Sequence, residues 1–172
     1  KKEMEKKDEQ IKAIMEHMEK LLEKVGNTTI TQNNNIQLNS YGKENMKYLK
    51  DNTFIKLLEA PFNSIPRLVR KIHFNKKHPE NQNIRITNKK LPYAEVYKDD
   101  KWVIKDKKET IMDLVEVKKG ILDERYEELK DELMDYKQEN YEDYIDKRET
   151  AKWTKKLQLK TELEILNGCK NK

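Results

Sequence analysis

The sequence predicts a mainly helical α+β fold: an N-terminal coiled coil, a compact domain with one small antiparallel sheet, and C-terminal helices. Three patterns carry that reading. Met4, Ile11, Met18 and Val25 recur at seven-residue intervals, the period of a coiled-coil seam. In residues 93–104, alternating side chains run up to Asp99-Asp100 and continue in Trp102-Val103-Ile104, a hairpin signature. From Leu122 onward, apolar residues fall at helical spacing.

Residues 1–25 read as an oligomerisation stem. Ile14 and Leu21 join Met4, Ile11, Met18 and Val25 in the seam, with Lys7 breaking the first repeat. Met15 and Leu22 widen the stripe, and His17 lies beside it as a solvated residue. A helix this short cannot bury its seam alone, so it needs partner chains. Ile14 at a d position and the widened stripe favour a trimer or tetramer of the same chain over a dimer. Residues 26–40 begin at Gly26, which ends the helix. The Asn- and Thr-rich stretch that follows is either a polar linker or, through Ile36 and Leu38, a short strand.

Residues 41–119 read as the compact α+β domain. The stretches 42–52 and 53–61 look like short helices, the second stopped at Pro61. Asn63-Ser64 is a cap for a helix through Pro66, Leu68, Val69 and Ile72. Ile84 and Ile86 begin a strand, and the hairpin follows. Asp106 caps the next helix, with Ile111, Met112, Leu114 and Val115 on its inner face. Residues 120–172 read as helices. Their stripe is Leu122, Tyr126, Leu129, Leu133, Tyr136 and Tyr144, with Tyr141 and Ile145 beside it. A last helix starts at Thr150, carries Trp153, Leu157, Leu163 and Leu166, and stops at Gly168. The tyrosines sit among acids that repel phosphate, so they read as core or interface.

Composition narrows the function classes. Of 172 residues, 35% are hydrophobic and 40% charged, with a net charge of +5. Residues 41–108 hold 17 Lys and Arg against 8 Asp and Glu; residues 121–150 hold 5 against 12. The two regions either pair with each other or form a basic partner surface beside an acidic arm. Cys169 is the single cysteine, which excludes an intrachain disulfide or cysteine-based zinc site and points to a reducing compartment. No apolar run approaches the roughly 20 residues of a membrane span, and no signal peptide is visible. The chain opens at Lys1 inside a helical pattern, and is therefore read as part of a longer protein.

The densest polar motif is HFNKKHPENQNIRI at residues 73–86. It supports three readings. One is a metal-dependent nuclease with His73 or His78 as base and Glu80, Asn81 or Asn83 as ligands. Such sites usually draw on a hairpin and a following helix, whereas these residues share one turn. A second is a basic nucleic-acid surface of Arg67, Arg70, Lys71, Lys76, Lys77, Arg85, Lys89 and Lys90. The third is structural: Pro79 sets a turn, and Asn75 and Asn81 satisfy backbone groups. No residue is assigned a catalytic or metal-binding role, and no cofactor is expected.

YGKEN at residues 41–45, IPRLVRKIHFNKKHPENQNIRI at 65–86 and YAEVYKDDKWVIKDKKETI at 93–111 together resemble an uncharacterised domain of giant DNA virus proteins. The resemblance covers roughly residues 1–130. In that family the domain often follows a zinc finger, a coiled coil and an Asn/Thr-rich tract. The paired cysteines of a finger are missing here. The resemblance implies a DNA-associated viral protein in the host cytoplasm, at viral factories, or in the virion. The expected role is an oligomerisation and interaction module presenting a basic surface. The alternatives are the nuclease and a structural virion or scaffold protein.

Overall fold

The computed structural model describes residues 36–170. The proposed stem, with Met4, Ile11, Ile14, Met18, Leu21 and Val25, lies outside the described residues, as does most of the Asn/Thr-rich tract. Residues 36–40 carry no strand.

Residues 41–50 form turns where a short helix is expected. The cause is competition for the backbone by polar side chains. The Gly42 amide donates to Glu44 Oε1 at 2.8 Å, and the Lys47 amide donates to Asn45 Oδ1 at 3.1 Å. Gly42 itself has φ +88°, a conformation that suits glycine. Regular helix begins only with α1, Asp51–Leu58, which buries Phe54, Leu57 and Leu58.

Pro61 then opens a single 3-10 turn, and α2 follows as Ser64–His73. Ile65, Leu68, Val69 and Ile72 are buried at helical spacing, so Arg67, Arg70 and Lys71 are left on the water side. The expected Asn63 side-chain cap is not made. Instead Asn63 Oδ1 accepts from Lys160 Nζ at 2.6 Å, and Ser64 Oγ donates back to the Pro61 carbonyl at 2.6 Å. A tertiary partner has taken the capping oxygen.

The sheet is antiparallel in the order β1 (Ile84–Arg85), β2 (Tyr93–Lys98), β3 (Lys101–Asp106). Ile84 pairs with Val96, and Val96 with Val103, on the core side. The hairpin turn has φ 52° at Asp99 and 61° at Asp100. Positive φ at both central residues is the type I′ pattern that matches strand twist. Asp106 Oδ1 accepts from the Glu109 amide at 2.8 Å, the expected cap of α3.

Helix α3, Lys107–Leu129, runs unbroken through residues 119 and 120, where the sequence reading divides the compact domain from the C-terminal helices. After a 3-10 turn come α4 (Asp135–Arg148) and α5 (Ala151–Lys170). Helix α5 packs on α2 and α3, so the C-terminal helices share the core of the domain. Several expected inner positions face water: Met112, Tyr136 and Leu163 are exposed. The buried stripe of α5 is Leu157, Thr161 and Ile165, shifted in phase because α2 and α3 meet the helix on that side. The helix also continues past Gly168 instead of stopping there. A Cβ at residue 168 would overlap the Phe74 ring, so this glycine permits close packing rather than ending the helix.

The acids of residues 121–150 form no ion pair with a cation of residues 41–108 among the described residues, although Lys47 and Lys50 line one hollow with Glu124 and Glu128. Those acids, among the described residues, pair with cations of the same segment or with Lys119, as in Lys147–Asp143 at 2.6 Å and Arg148–Asp123 at 2.5 Å. The cations of the basic region that reach a C-terminal carboxylate do so on α5: Arg70 to Glu164 at 2.5 Å and Lys107 to Glu162 at 2.9 Å. No described helix is long and apolar enough to cross a membrane.

Candidate functional site: a buried polar network beneath a basic face

The 73–86 motif is divided between two sets of partners. His73 is fully buried, and its Nδ1 lies 2.9 Å from Asn83 Oδ1. The Asn83 amide is oriented by its nitrogen, which donates to Glu44 Oε1 at 2.8 Å and to the Asn39 carbonyl at 3.1 Å. Asn83 Oδ1 is therefore the acceptor, and His73 Nδ1 carries the proton. Its other nitrogen, Nε2, finds no hydrogen-bond partner among the described residues.

Glu44 lies 4.0 Å from His73 Nδ1, and the buried Lys118 of α3 lies within electrostatic reach of both. Burial lowers the His73 pKa to about 4; the Lys118 charge adds to the effect, against Glu44 and the Asn83 hydrogen bond. Burial alone would raise Glu44, but its coupling to His73, the Lys118 charge and the hydrogen bonds from Gly42 and Asn83 hold it below the ordinary carboxylate value. Burial lowers Lys118, opposed by Glu44. At neutral pH His73 is thus the neutral member, grouped with an acid and a base that lie far apart in the sequence.

Asn81, also buried, acts as a substitute strand for the 39–45 segment. Its Oδ1 accepts from Asn39 Nδ2 and the Asn45 amide, both at 2.9 Å, and its Nδ2 donates to the Asn45 carbonyl at 2.7 Å. His78 faces elsewhere. Its ring stacks on Tyr48 at 3.5 Å and 7°, and its Nδ1 lies 3.1 Å from Glu80 Oε1. Tyr48 in turn donates to the Lys71 carbonyl at 2.7 Å, near the end of α2. The residues put forward as nuclease base and ligands therefore hold an irregular segment against the helix and sheet. Among the described residues, no group of three or more His, Cys, Asp and Glu is placed to hold a metal ion.

The basic face is carried by the exposed side of α2. Arg67, Arg70 and Lys71 project from α2 at i, i+3 and i+4 and are exposed. With Lys56, Thr53 and Leu57 of α1 they line a groove of about 420 Å³ that has no carboxylate on its described lining. Arg70 alone of these cations is paired, to Glu164. Lys76 and Lys77 are exposed on the Asn75 turn, and Lys76 lines a second hollow with Arg70.

The other expected contacts do not join this face. Arg85 donates twice to Glu95, at 2.7 and 3.1 Å, and its guanidinium lies 4.0 Å over the Trp102 ring. That places it on the outer face of the sheet, as a cross-strand pair. Lys89 and Lys90 are exposed in a turn tied to α3, where Lys107 Nζ donates to the Lys89 carbonyl at 2.6 Å. Lys56, absent from the sequence-based set, belongs with the groove. Its signal was its place on the polar side of α1, opposite Phe54, Leu57 and Leu58. Glu44 and Lys118 were also missed; each sits among exposed charges in sequence, and only packing buries them.

No family model, curated protein or solved structure matches the chain.

Proposed function

We propose that this protein is an interaction module whose α1–α2 groove contacts the phosphates of nucleic acid, with several copies held together by the stem at residues 1–25. The observation that carries the reading is the groove: Lys56, Arg67, Arg70 and Lys71 converge there without a lining carboxylate among the described residues. Arginine forks and a lysine point charge are the groups that hold phosphate oxygens. The rigid helix beneath, anchored by four buried apolar residues, presents them at fixed spacing. The resemblance to an uncharacterised domain of giant DNA virus proteins carries the same expectation of association with nucleic acid. Multiple copies would raise a weak contact through effective concentration.

The test is binding of duplex DNA across a salt series. Each phosphate neutralised adds about 0.9 to the magnitude of the salt slope. Arg67→Glu with Lys71→Glu is expected to weaken binding and lower that slope by about 2. Lys76→Glu with Lys77→Glu should do the same to a smaller degree. Absence of binding at low salt, or binding untouched by these changes, refutes the reading. Light scattering tests the assembly: a monomer at micromolar concentration removes the stem.

A further inference from the structure

We infer that the hollow beside the groove receives an unpaired nucleotide of the strand whose phosphates the groove holds; this rests on the reading of the groove just given. The hollow measures about 950 Å³, within the range of roughly 300–1,000 Å³ usual for small-ligand sites. Arg70 lines both the hollow and the groove; its Nε and Nη2 are taken by Glu164, so a phosphate at the junction would meet the Nη1 group.

The lining chemistry matches the parts of a nucleotide. Phe74 offers an aromatic ring for a base, Gln82 an amide for its edge, and Lys76 a second cation for phosphate. Glu164 is the one carboxylate among the described lining residues. It is occupied by two hydrogen bonds from Arg70, so its repulsion of phosphate is muted. Gly168 keeps the wall clear: a side chain there would collide with the Phe74 ring and turn it aside. A base inside a duplex must leave its stack to enter a concave site, whereas an unpaired base pays less. The hollow therefore favours single-stranded ends or gaps over blunt duplex.

The experiment compares, with the full chain at low salt, a blunt DNA duplex and the same duplex carrying short unpaired overhangs, by fluorescence anisotropy. The overhangs are expected to tighten binding roughly tenfold, the scale of one stacked base. Phe74→Leu and Gln82→Ala should each abolish that gain and leave blunt-duplex affinity as in the parent chain. Equal affinity for the two duplexes, or a gain that survives both substitutions, overturns the inference. If melting shows that Phe74→Leu is misfolded, Gln82→Ala decides. Failure of the groove reading looks different: blunt duplex does not bind at all. Overhang DNA that still binds in that case, and is released by Gln82→Ala, upholds the hollow alone; overhang DNA that also fails to bind refutes both.

Discussion

The Asn83 side-chain amide donates to Glu44 Oε1 at 2.8 Å while its oxygen lies 2.9 Å from His73 Nδ1. One buried amide thus joins the irregular 39–45 segment, the end of α2 and the start of the sheet. Its two ends are not interchangeable, because the nitrogen faces a carboxylate and a carbonyl.

That asymmetry predicts the outcome of two substitutions. Asn83→Ala leaves His73 Nδ1 without its acceptor and Glu44 with the Gly42 amide as its remaining hydrogen-bond donor, and should cost about 2–4 kcal/mol. Asn83→Asp keeps the size but sets a second carboxylate against Glu44. It should destabilise the domain strongly at pH 7 and less as the pH falls and the new acid takes a proton. Denaturant unfolding of both variants at two pH values checks this; an Asn83→Asp variant as stable as the parent at pH 7 contradicts the assigned amide orientation.

Acid should destabilise this domain earlier than carboxylate titration alone would. A histidine in the unfolded chain takes a proton near pH 6.5, whereas His73 in the fold does so only near 4. Between those values the unfolded state holds more protons, so stability is full above about pH 6.5 and falls as pH drops toward 4. The loss is on the order of 2 kcal/mol by pH 4.5. Glu44, whose pKa is lowered, adds a further loss below its unfolded value as the pH falls. Thermal melts between pH 7 and 4.5 should show the decline. His73→Gln should flatten it over the upper part of that range; a parent chain with no change in melting temperature contradicts the burial of a neutral His73.

The two helical glycines should respond in opposite ways. Gly120 lies inside α3, with nothing within 4 Å of an added Cβ. Gly120→Ala should stabilise by about 0.5–1 kcal/mol through helix propensity. Gly168→Ala meets the Phe74 ring and should destabilise by roughly 1–3 kcal/mol through overpacking. Chemical denaturation of the pair measures both signs in one series.

Asp99 and Asp100 occupy positive φ at the hairpin turn. Asp100→Gly relieves the side-chain strain at φ 61°, and should stabilise by about 1 kcal/mol after the entropy glycine brings to the unfolded chain. Asp99→Pro cannot adopt positive φ and should unfold the hairpin locally. Amide exchange along Tyr93–Lys98 and Lys101–Asp106 distinguishes the two outcomes.

Much of this architecture follows from local rules legible in the chain. The Asp99-Asp100 turn between alternating residues specifies the hairpin, and Asp106 before an amphipathic run specifies the start of α3. The spacing of Leu68, Val69 and Ile72 specifies the buried side of α2, and with it the exposure of Arg67, Arg70 and Lys71. These features depend on neighbours a few residues away, so periodicity and turn chemistry contain them.

The remainder depends on partners far apart in sequence, which only the tertiary structure decided. Residues 41–50 have the composition of a helix, yet Asn81 and Asn83 bind their backbone and side chains across some 36–39 positions and hold them in turns. Lys118 looks like one more lysine on a charged helix until Glu44 and His73 are packed over it. Arg85 reads as part of the basic surface, but strand pairing sets it opposite Glu95. Gly168 reads as a helix stop because its contact with Phe74 has no local trace. A charged or polar residue is ambiguous in sequence because solvation, pairing and burial all suit it; the choice is made by which distant groups the fold brings within hydrogen-bond reach. The HFNKKHPENQNIRI motif is where that choice is densest, and there the fold turns two asparagines and a histidine inward while the cations of α2 remain in water.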